Sequence, residues 1–184
     1  MKKIIISLSL IFAICLLTNC RLDLDKALIK PATIKVDYAK SAADVITEAK
    51  DYCSAIDTAI NPKNFPWPTE KIGRQETLSA QIVSFPFNEE SSDIIEKMAR
   101  EGYRPGTLVE LIAFIAQCPA ARGKNIVALG SVKTLRGYPQ VPCLRYNRYN
   151  SRYCLRTELL NFPWLGRGWR PQKDWIYFLA IAKS

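Results

Sequence analysis

The sequence contains no histidine among its 184 residues. Histidine is the commonest general base at neutral pH and the commonest side-chain ligand of transition metals. Its absence excludes Ser-His-Asp and Cys-His nucleophilic catalysis and zinc binding through imidazole. The sequence also lacks a Cys-x-x-Cys pair, a glycine-rich phosphate loop, a nucleophile elbow and a cluster of metal ligands. We therefore expect no metal and no cofactor.

Acidic residues are few compared with basic ones, 17 Asp and Glu against 26 Lys and Arg, which gives a formal net charge of +9. Four of these acids lie where a structural role is expected. Glu89, Glu90 and Glu96 flank a predicted helix start, and Glu110 belongs to a capping box. A hydrolase that uses a carboxylate pair on a cell-wall polymer remains an alternative, and it requires two acids facing one cleft.

The N-terminus has the composition of an export signal. Lys2 and Lys3 precede an apolar run over residues 4–17, interrupted by two serines. A run of this length suits a signal peptide and is too short for a membrane-spanning helix, which needs about 20 residues. Residues 1–19 are therefore predicted to be a signal peptide.

Cys20 follows the apolar run in a sequence that resembles a lipobox, Leu17-Thr-Asn-Cys20, in which Asn19 departs from the usual small residue. We expect Cys20 to be lipidated, with residues 20–33 as a tether. Two or more acyl chains, such as palmitate, give stable membrane attachment where one would be marginal. The predicted location is the bacterial cell envelope, at the outer membrane if the cell is Gram-negative. Simple secretion and an uncleaved anchor are the alternatives.

Four cysteines remain after the signal and the lipidated residue: Cys53, Cys118, Cys143 and Cys154. An even number in an exported protein favours disulfides, although four cysteines allow three pairings. We favour Cys143 with Cys154, and Cys53 with Cys118. Buried free thiols are the alternative.

Residues 34–184 are predicted to form a single α+β domain of mixed strands with about three helices. Helical spacing follows N-terminal caps at Ser41, at Ser91 or Ser92, and at Thr107, where Thr107-Leu-Val-Glu110 forms a capping box. Alternating or short apolar runs predict strands. The predicted strands lie at residues 34–38, 76–84, 126–129, 141–144, 152–157 and 175–182. The absence of regular βαβ repetition favours α+β.

From Ile34 onward the chain resembles an uncharacterised family of small bacterial proteins that is frequent in candidate-phylum genomes. The resemblance rests on 34–38 (IKVDY), 102–105 (GYRP), 107–114 (TLVELIAF), 126–132 (IVALGSV), 141–144 (VPCL), Trp169 and 177–183 (YFLAIAK). The family implies no activity. Its matched residues are mostly apolar, Gly and Pro, which is typical of a fold signature. The order of helices and strands also suggests a C-type-lectin-like domain.

Residues 122–170 hold ten Lys and Arg and one acid, Glu158. Arginines alternate with tyrosines in this stretch, a composition typical of nucleic-acid binding, with guanidiniums on phosphates and rings on bases. In an envelope protein the expected partner is instead an anionic envelope component or another protein. The candidate anion-binding residues are Arg145, Arg148, Arg152, Arg156, Arg167 and Arg170.

Aromatic residues accompany these arginines, and the candidate contact residues are Tyr146, Tyr149, Tyr153, Trp164 and Trp169. Exposed aromatics of this kind serve sugar and base binding, whereas in a domain of this size they are more often packing residues. Tyrosines packed on a hairpin with a solvated basic face are the structural alternative. The sequence therefore predicts a non-catalytic, membrane-anchored binding module, and a nucleic-acid-binding protein if the chain is not exported.

Overall fold

The computed structural model describes residues 30–85, 89–160 and 176–183. These residues form one mixed β-sheet and three α-helices, so the domain is α+β, as the sequence predicts. The strands are β1 (Ala32–Asp37), β2 (Cys53–Ile56), β3 (Gln75–Val83), β4 (Tyr103–Pro105), β5 (Asn125–Val127), β6 (Lys133–Leu135), β7 (Tyr138–Asn147), β8 (Arg152–Leu159) and β9 (Ile176–Ala182). The helices are α1 (Ala42–Glu48), α2 (Ser91–Arg100) and α3 (Leu108–Gln117). Short 3₁₀ turns lie at Ala49–Asp51, Thr69–Lys71 and Pro119–Ala121.

The order of strands across the sheet is β1-β3-β9-β5-β7-β8-β2, with β4 beside β9 and β6 beside β7. The pairings between neighbours show that β1, β9, β5, β8 and β2 run in one direction, while β3 and β7 run in the other. We call the end at which β2, β5, β8 and β9 begin the entry end of the sheet; β1 runs in the same direction but begins level with Ile181, near the end of β9. The opposite end is the exit end.

Helices cover both faces of the sheet. Helices α1 and α3 pack on one face around a core that includes Leu111 and Phe114, and α2 covers the other face through Ile94 and Met98. The central strand β9 is buried on both sides. This explains its continuous apolar sequence, because a strand covered on both faces has no solvent side for polar residues.

The two sequence motifs around Gly106 and Gly130 meet at the exit end. The Gly130 amide donates to the Gly106 carbonyl at 2.9 Å, and a Cβ on Gly130 would lie 2.7 Å from the Pro105 carbonyl oxygen. The Gly106 amide in turn donates to the carbonyl of Leu179 at 2.8 Å. Glycine is needed here because the backbones approach too closely for a side chain. Pro105, Gly130 and Leu179, three of the residues that carry the family resemblance, thus meet around Gly106.

Three local predictions are corrected. The helical spacing after the Ser41 cap predicts a helix to about Cys53, but the first helix ends at Glu48, continues as a 3₁₀ turn, and is followed by a strand that begins at Cys53. Strand β1 begins at Ala32, inside the predicted tether. Ser91 is the first residue of α2 and Glu90 holds the N-cap position; the Ser91 hydroxyl donates to the carbonyl of Leu160, which satisfies an acceptor on a neighbouring segment instead of a helix amide.

Candidate functional site

The segment that carries the predicted arginines and tyrosines is the β7–β8 hairpin, with its turn at the entry end. Asn147 accepts the amide of Tyr149 at 2.9 Å, and Asn150 accepts the amide of Arg152 at 3.1 Å. Ser151 adopts a left-handed φ of 53°. Asparagine and serine favour such turns because their short side chains bond to the backbone nearby. These turn residues explain why the segment forms a hairpin and not a helix.

Two of the three candidate tyrosines are packed inside the hairpin. Tyr146 and Tyr153 lie opposite each other with ring centroids 5.3 Å apart and planes at 65°. The Tyr153 hydroxyl donates to the carbonyl of Ala121 at 2.9 Å, and burial raises the pKa of Tyr153 to about 12. Tyr149, at the turn, is fully exposed. A stack of bases on three tyrosine rings is therefore not available in this geometry, and Tyr149 alone projects into solvent.

The arginines on the opposite face of the hairpin share one carboxylate. Glu158 Oε1 lies 3.1 Å from Nε of Arg156 and 3.5 Å from Nη1 of Arg145. These side chains occupy the same face because Arg145 lies opposite Cys154, two residues from Arg156. One acid between two guanidiniums leaves a net positive charge on this face.

Arg152 connects the hairpin to the backbone that precedes and begins β2. Its Nη2 donates to the carbonyl of Lys50 at 2.6 Å and to the carbonyl of Cys53 at 3.2 Å. Carbonyls at the end of a helical turn have no intrahelical partner, and a guanidinium satisfies them well. Arg152 thereby joins the hairpin to the turn before β2 and brings Lys50 to the entry end.

A second basic segment reaches the same place from the loop before β5. Tyr146 of the hairpin contacts this segment. Its amide donates to Asn125 Oδ1 at 2.9 Å, and its ring lies 3.9 Å from the Cβ position of Gly123. Lys124 Nζ lies 5.4 Å from the ring centroid of Tyr177. Arg122 precedes these residues and is exposed.

Three separate segments thus bring cations to the entry end. We refer to six of these residues as the basic end: Lys50, Arg122, Lys124, Arg145, Arg148 and Arg152. The sequence identified three of the six as candidate anion-binding residues. Lys50, Arg122 and Lys124 were missed, because only the strand order reveals that their segments adjoin the hairpin.

Several predicted sites lie outside the described residues. They are the signal peptide at residues 1–19, the lipidation site Cys20, most of the tether, Arg167, Arg170, Trp164 and Trp169. These assignments stay predictions.

The four cysteines in the described part of the chain are free thiols, and neither predicted disulfide is present in the structure. Cys143 lies opposite Arg156, and Cys154 lies opposite Arg145. The two cysteines are therefore diagonal neighbours, whose Cα atoms are typically about 7 to 8 Å apart. A disulfide requires a Cα separation of about 4.4 to 6.8 Å. The register of the hairpin thus does not favour this pairing, which stays a prediction.

The other predicted pair, Cys53 with Cys118, is also unbonded in the structure and stays a prediction. Cys53 begins an edge strand, and Cys118 follows the last turn of α3. Burial raises the pKa of Cys53 to about 11 and also raises the pKa of Cys118. Both thiols are protonated, buried side chains of the core.

The most densely connected ionisable group is a buried carboxylate at the exit end. Glu110, fully buried, accepts hydrogen bonds from Arg104 Nη2 at 2.7 Å and from the Tyr38 hydroxyl at 2.8 Å on Oε1. Its Oε2 accepts from Arg104 Nη1 at 2.9 Å and from the Thr107 amide at 2.8 Å. The last bond belongs to the predicted capping box, which is formed. Sequence spacing revealed the cap but not the arginine and the tyrosine.

This network does not suit general acid–base catalysis. Burial alone would raise the pKa of Glu110, but the hydrogen bonds and charge of Arg104, with the Thr107 amide and the Tyr38 hydroxyl, bring it below its ordinary value. A general acid at neutral pH needs the opposite shift. A second acid, Glu76, shares a cation with Glu110: Lys71 Nζ lies 2.7 Å from Glu76 Oε2 and 3.9 Å from Glu110 Oε1.

The exit end also carries a shallow cleft of about 290 Å³. It is lined by Trp67 and its neighbours, by the start of α3 and by the segment after β5. A helix start can bind anions through its free amides. Here Glu110 accepts the amide of Thr107, and Ser131 accepts the amide of Leu108 at 2.9 Å. The helix start is therefore largely capped by side chains of the protein itself.

Metal binding and membrane spanning can be assessed for the described part of the chain. Among residues 30–85, 89–160 and 176–183, no three Cys, Asp or Glu side chains converge in a way that could hold a metal ion. Over the same residues, no helix has the length and apolar character needed to cross a membrane.

Comparisons with known proteins give no assignment: no family model, no curated protein and no solved structure matches the chain. The resemblances to an uncharacterised bacterial family and to C-type-lectin-like domains therefore stay predictions. The basic end is the candidate functional site that the geometry supports best.

Proposed function

We propose that the chain is an exported lipoprotein, anchored through Cys20, whose domain binds an anionic component of the cell envelope through its basic end. The observation that carries this proposal is the convergence of six cations from three segments at one end of the sheet. Clustered cations raise the local concentration of anions and bind phosphate or carboxylate groups by charge and hydrogen bonding.

The other two candidate functions receive less support. Nucleic-acid binding by base stacking needs exposed rings, and Tyr146 and Tyr153 are packed against each other. A hydrolase needs a carboxylate pair with one raised pKa, and Glu110 has a lowered one. A module that binds anions through charge requires neither exposed aromatic rings nor a carboxylate with a raised pKa.

The test is binding of inorganic polyphosphate to the full chain in neutral detergent. We compare the triple variant Lys50→Gln, Arg122→Gln and Arg148→Gln with the control triple Lys63→Gln, Arg74→Gln and Lys133→Gln. Each triple removes the same charge. The control residues lie in or beside the turns at the exit end. Arg145 and Arg152 are left intact because they contact Glu158 and backbone carbonyls.

We expect the basic-end triple to weaken binding about 100-fold, on the basis of about 1 kcal/mol for each cation near a polyanionic surface. The control triple should change it about twofold, through net charge alone. Equal loss in both triples would contradict the proposal. Tighter binding of single-stranded RNA than of polyphosphate, at equal salt, would favour a nucleic-acid ligand instead.

A further inference from the structure

We propose that the basic end docks onto the anionic phospholipid headgroups of the same membrane that holds the lipid anchor. This inference rests on the proposed function and names its partner. The domain would then lie against the membrane in a fixed orientation, with its exit end facing away.

Strand direction is the first argument. Strand β1, the first described element after the tether, runs parallel to β8, away from the entry end, although its first residue, Ala32, is level with Ile181 near the end of β9. The hairpin turn precedes β8 and lies at the entry end. A tether that rises from a membrane at the entry end would therefore enter β1 without reversing its direction.

The length of the tether is the second argument. Ala32 pairs with Ala80, and Ala80 pairs with Ile181, so Ala32 is level with Ile181 along the strands. Val127 pairs with both Cys143 and Phe178, so Cys143 is level with Phe178. The hairpin turn therefore lies about seven residues, or about 23 Å, below Ala32 along the strands. Sideways, five strand spacings separate β1 from β8, or about 24 Å. Residues 20–31 extend to about 40 Å, enough to cover the resulting diagonal of about 33 Å.

The chemistry of the turn is the third argument. Arg148 and Tyr149 are exposed at its apex, with Asn147 and Asn150 on either side. Tyrosine favours the headgroup level of a membrane because its ring is amphipathic, and arginine hydrogen-bonds to phosphate there. Each cation near an anionic leaflet adds attraction that acts within a Debye length, about 10 Å at moderate salt. The tether therefore keeps the basic end close to a surface that attracts it.

The test is residue-resolved chemical footprinting of the lipidated full chain in vesicles. Lysines are acetylated and arginines are modified with a dicarbonyl reagent, and the rates at individual residues are read by mass spectrometry. One vesicle preparation is phosphatidylcholine alone, and the other contains about one-third phosphatidylglycerol. The probes at the basic end are Lys50, Arg122 and Arg148, and the controls are Lys63, Arg74 and Lys133.

We expect the basic-end rates to fall about fivefold or more in the anionic vesicles, with the control rates unchanged. At about 1 M salt, where the Debye length is about 3 Å, the protection should disappear although the anchor holds. Unchanged rates at the basic end, or equal protection of the controls, would overturn the docking. If polyphosphate binding still depends on the basic-end cations in that case, the proposed function survives and only the membrane docking fails. If that dependence is absent as well, or the chain carries no acyl groups, the proposed function itself fails.

Discussion

The Glu110→Ala variant is expected to lose about 3 to 5 kcal/mol of its free energy of unfolding, which is a large part of the stability of a domain this size. The substitution leaves the half-buried guanidinium of Arg104, the hydroxyl of Tyr38 and the amide of Thr107 without their acceptor. Removing one partner of a buried ion pair is costly because the remaining charge stays desolvated. Chemical denaturation of the full chain measures the change.

Glu158→Ala is the matched control, since it also removes one carboxylate that lies between cations. Arg145 and Arg156 keep access to water, so we expect a loss of less than about 1 kcal/mol. The double variant Arg104→Met and Glu110→Met should recover part of the loss, because apolar groups of similar volume need no partner. Similar losses for Glu110→Ala and Glu158→Ala would show that the buried network does not stabilise the fold.

The same network sets a pH window for stability. The pKa of Glu110 is below its ordinary 4.5 in the folded state, so its contribution is complete above about pH 4.5 and is lost as the pH falls further. The pKa of Tyr38 is raised above its ordinary 10.0, first by burial and then by the Glu110 charge. Its contribution is complete below about pH 10 and is lost at higher pH.

We expect Cys53, Cys118, Cys143 and Cys154 to react with a thiol reagent at very different rates. In the folded protein at about pH 8, Cys154 should react first with a thiol reagent, since it is the one of the four that is not buried. Cys143 is fully enclosed, and burial raises its pKa from 9.0 to about 12, which lowers its thiolate fraction about 1000-fold. Mass mapping of labelled peptides over time gives a rate for each residue.

Labelling also distinguishes free thiols from disulfides. Under denaturing and non-reducing conditions all four cysteines should label at similar rates. A pair that labels only after reduction would contradict the free thiols of the structure and would identify the disulfide. A folded-state rate for Cys143 equal to that of Cys154 would contradict the burial of β7.

Local sequence signals predicted the elements that depend on nearby residues. The capping box of α3 is formed because Thr107 and Glu110 are three residues apart, and Gly102 ends α2 with a positive φ of 82°. The turn of the β7–β8 hairpin likewise follows from its own asparagines. None of these features requires knowledge of the distant chain.

Long-range pairing was the part that sequence alone did not supply. Strand β2 lies at the far edge of the sheet and pairs with β8, about a hundred residues later in the chain, and no local pattern around Cys53 indicates this pairing. The same pairing brings Lys50 to Arg152, and the β5–β7 pairing brings Lys124 to the hairpin. The Arg104–Glu110 contact was missed because the capping box already gave Glu110 a partner.

The intact mass and membrane partitioning of the product of the full-length gene, expressed in a bacterial host beside Cys20→Ala, test the central claim most directly. We predict a membrane-bound product that begins at Cys20 and carries added acyl mass, and loss of both the acyl mass and membrane attachment in the variant. Such a result would keep the domain within reach of a membrane surface, and the footprinting would then show whether the basic end faces it. An unprocessed product of full mass in the soluble fraction would contradict the lipoprotein, and the basic end would then be tested first against RNA.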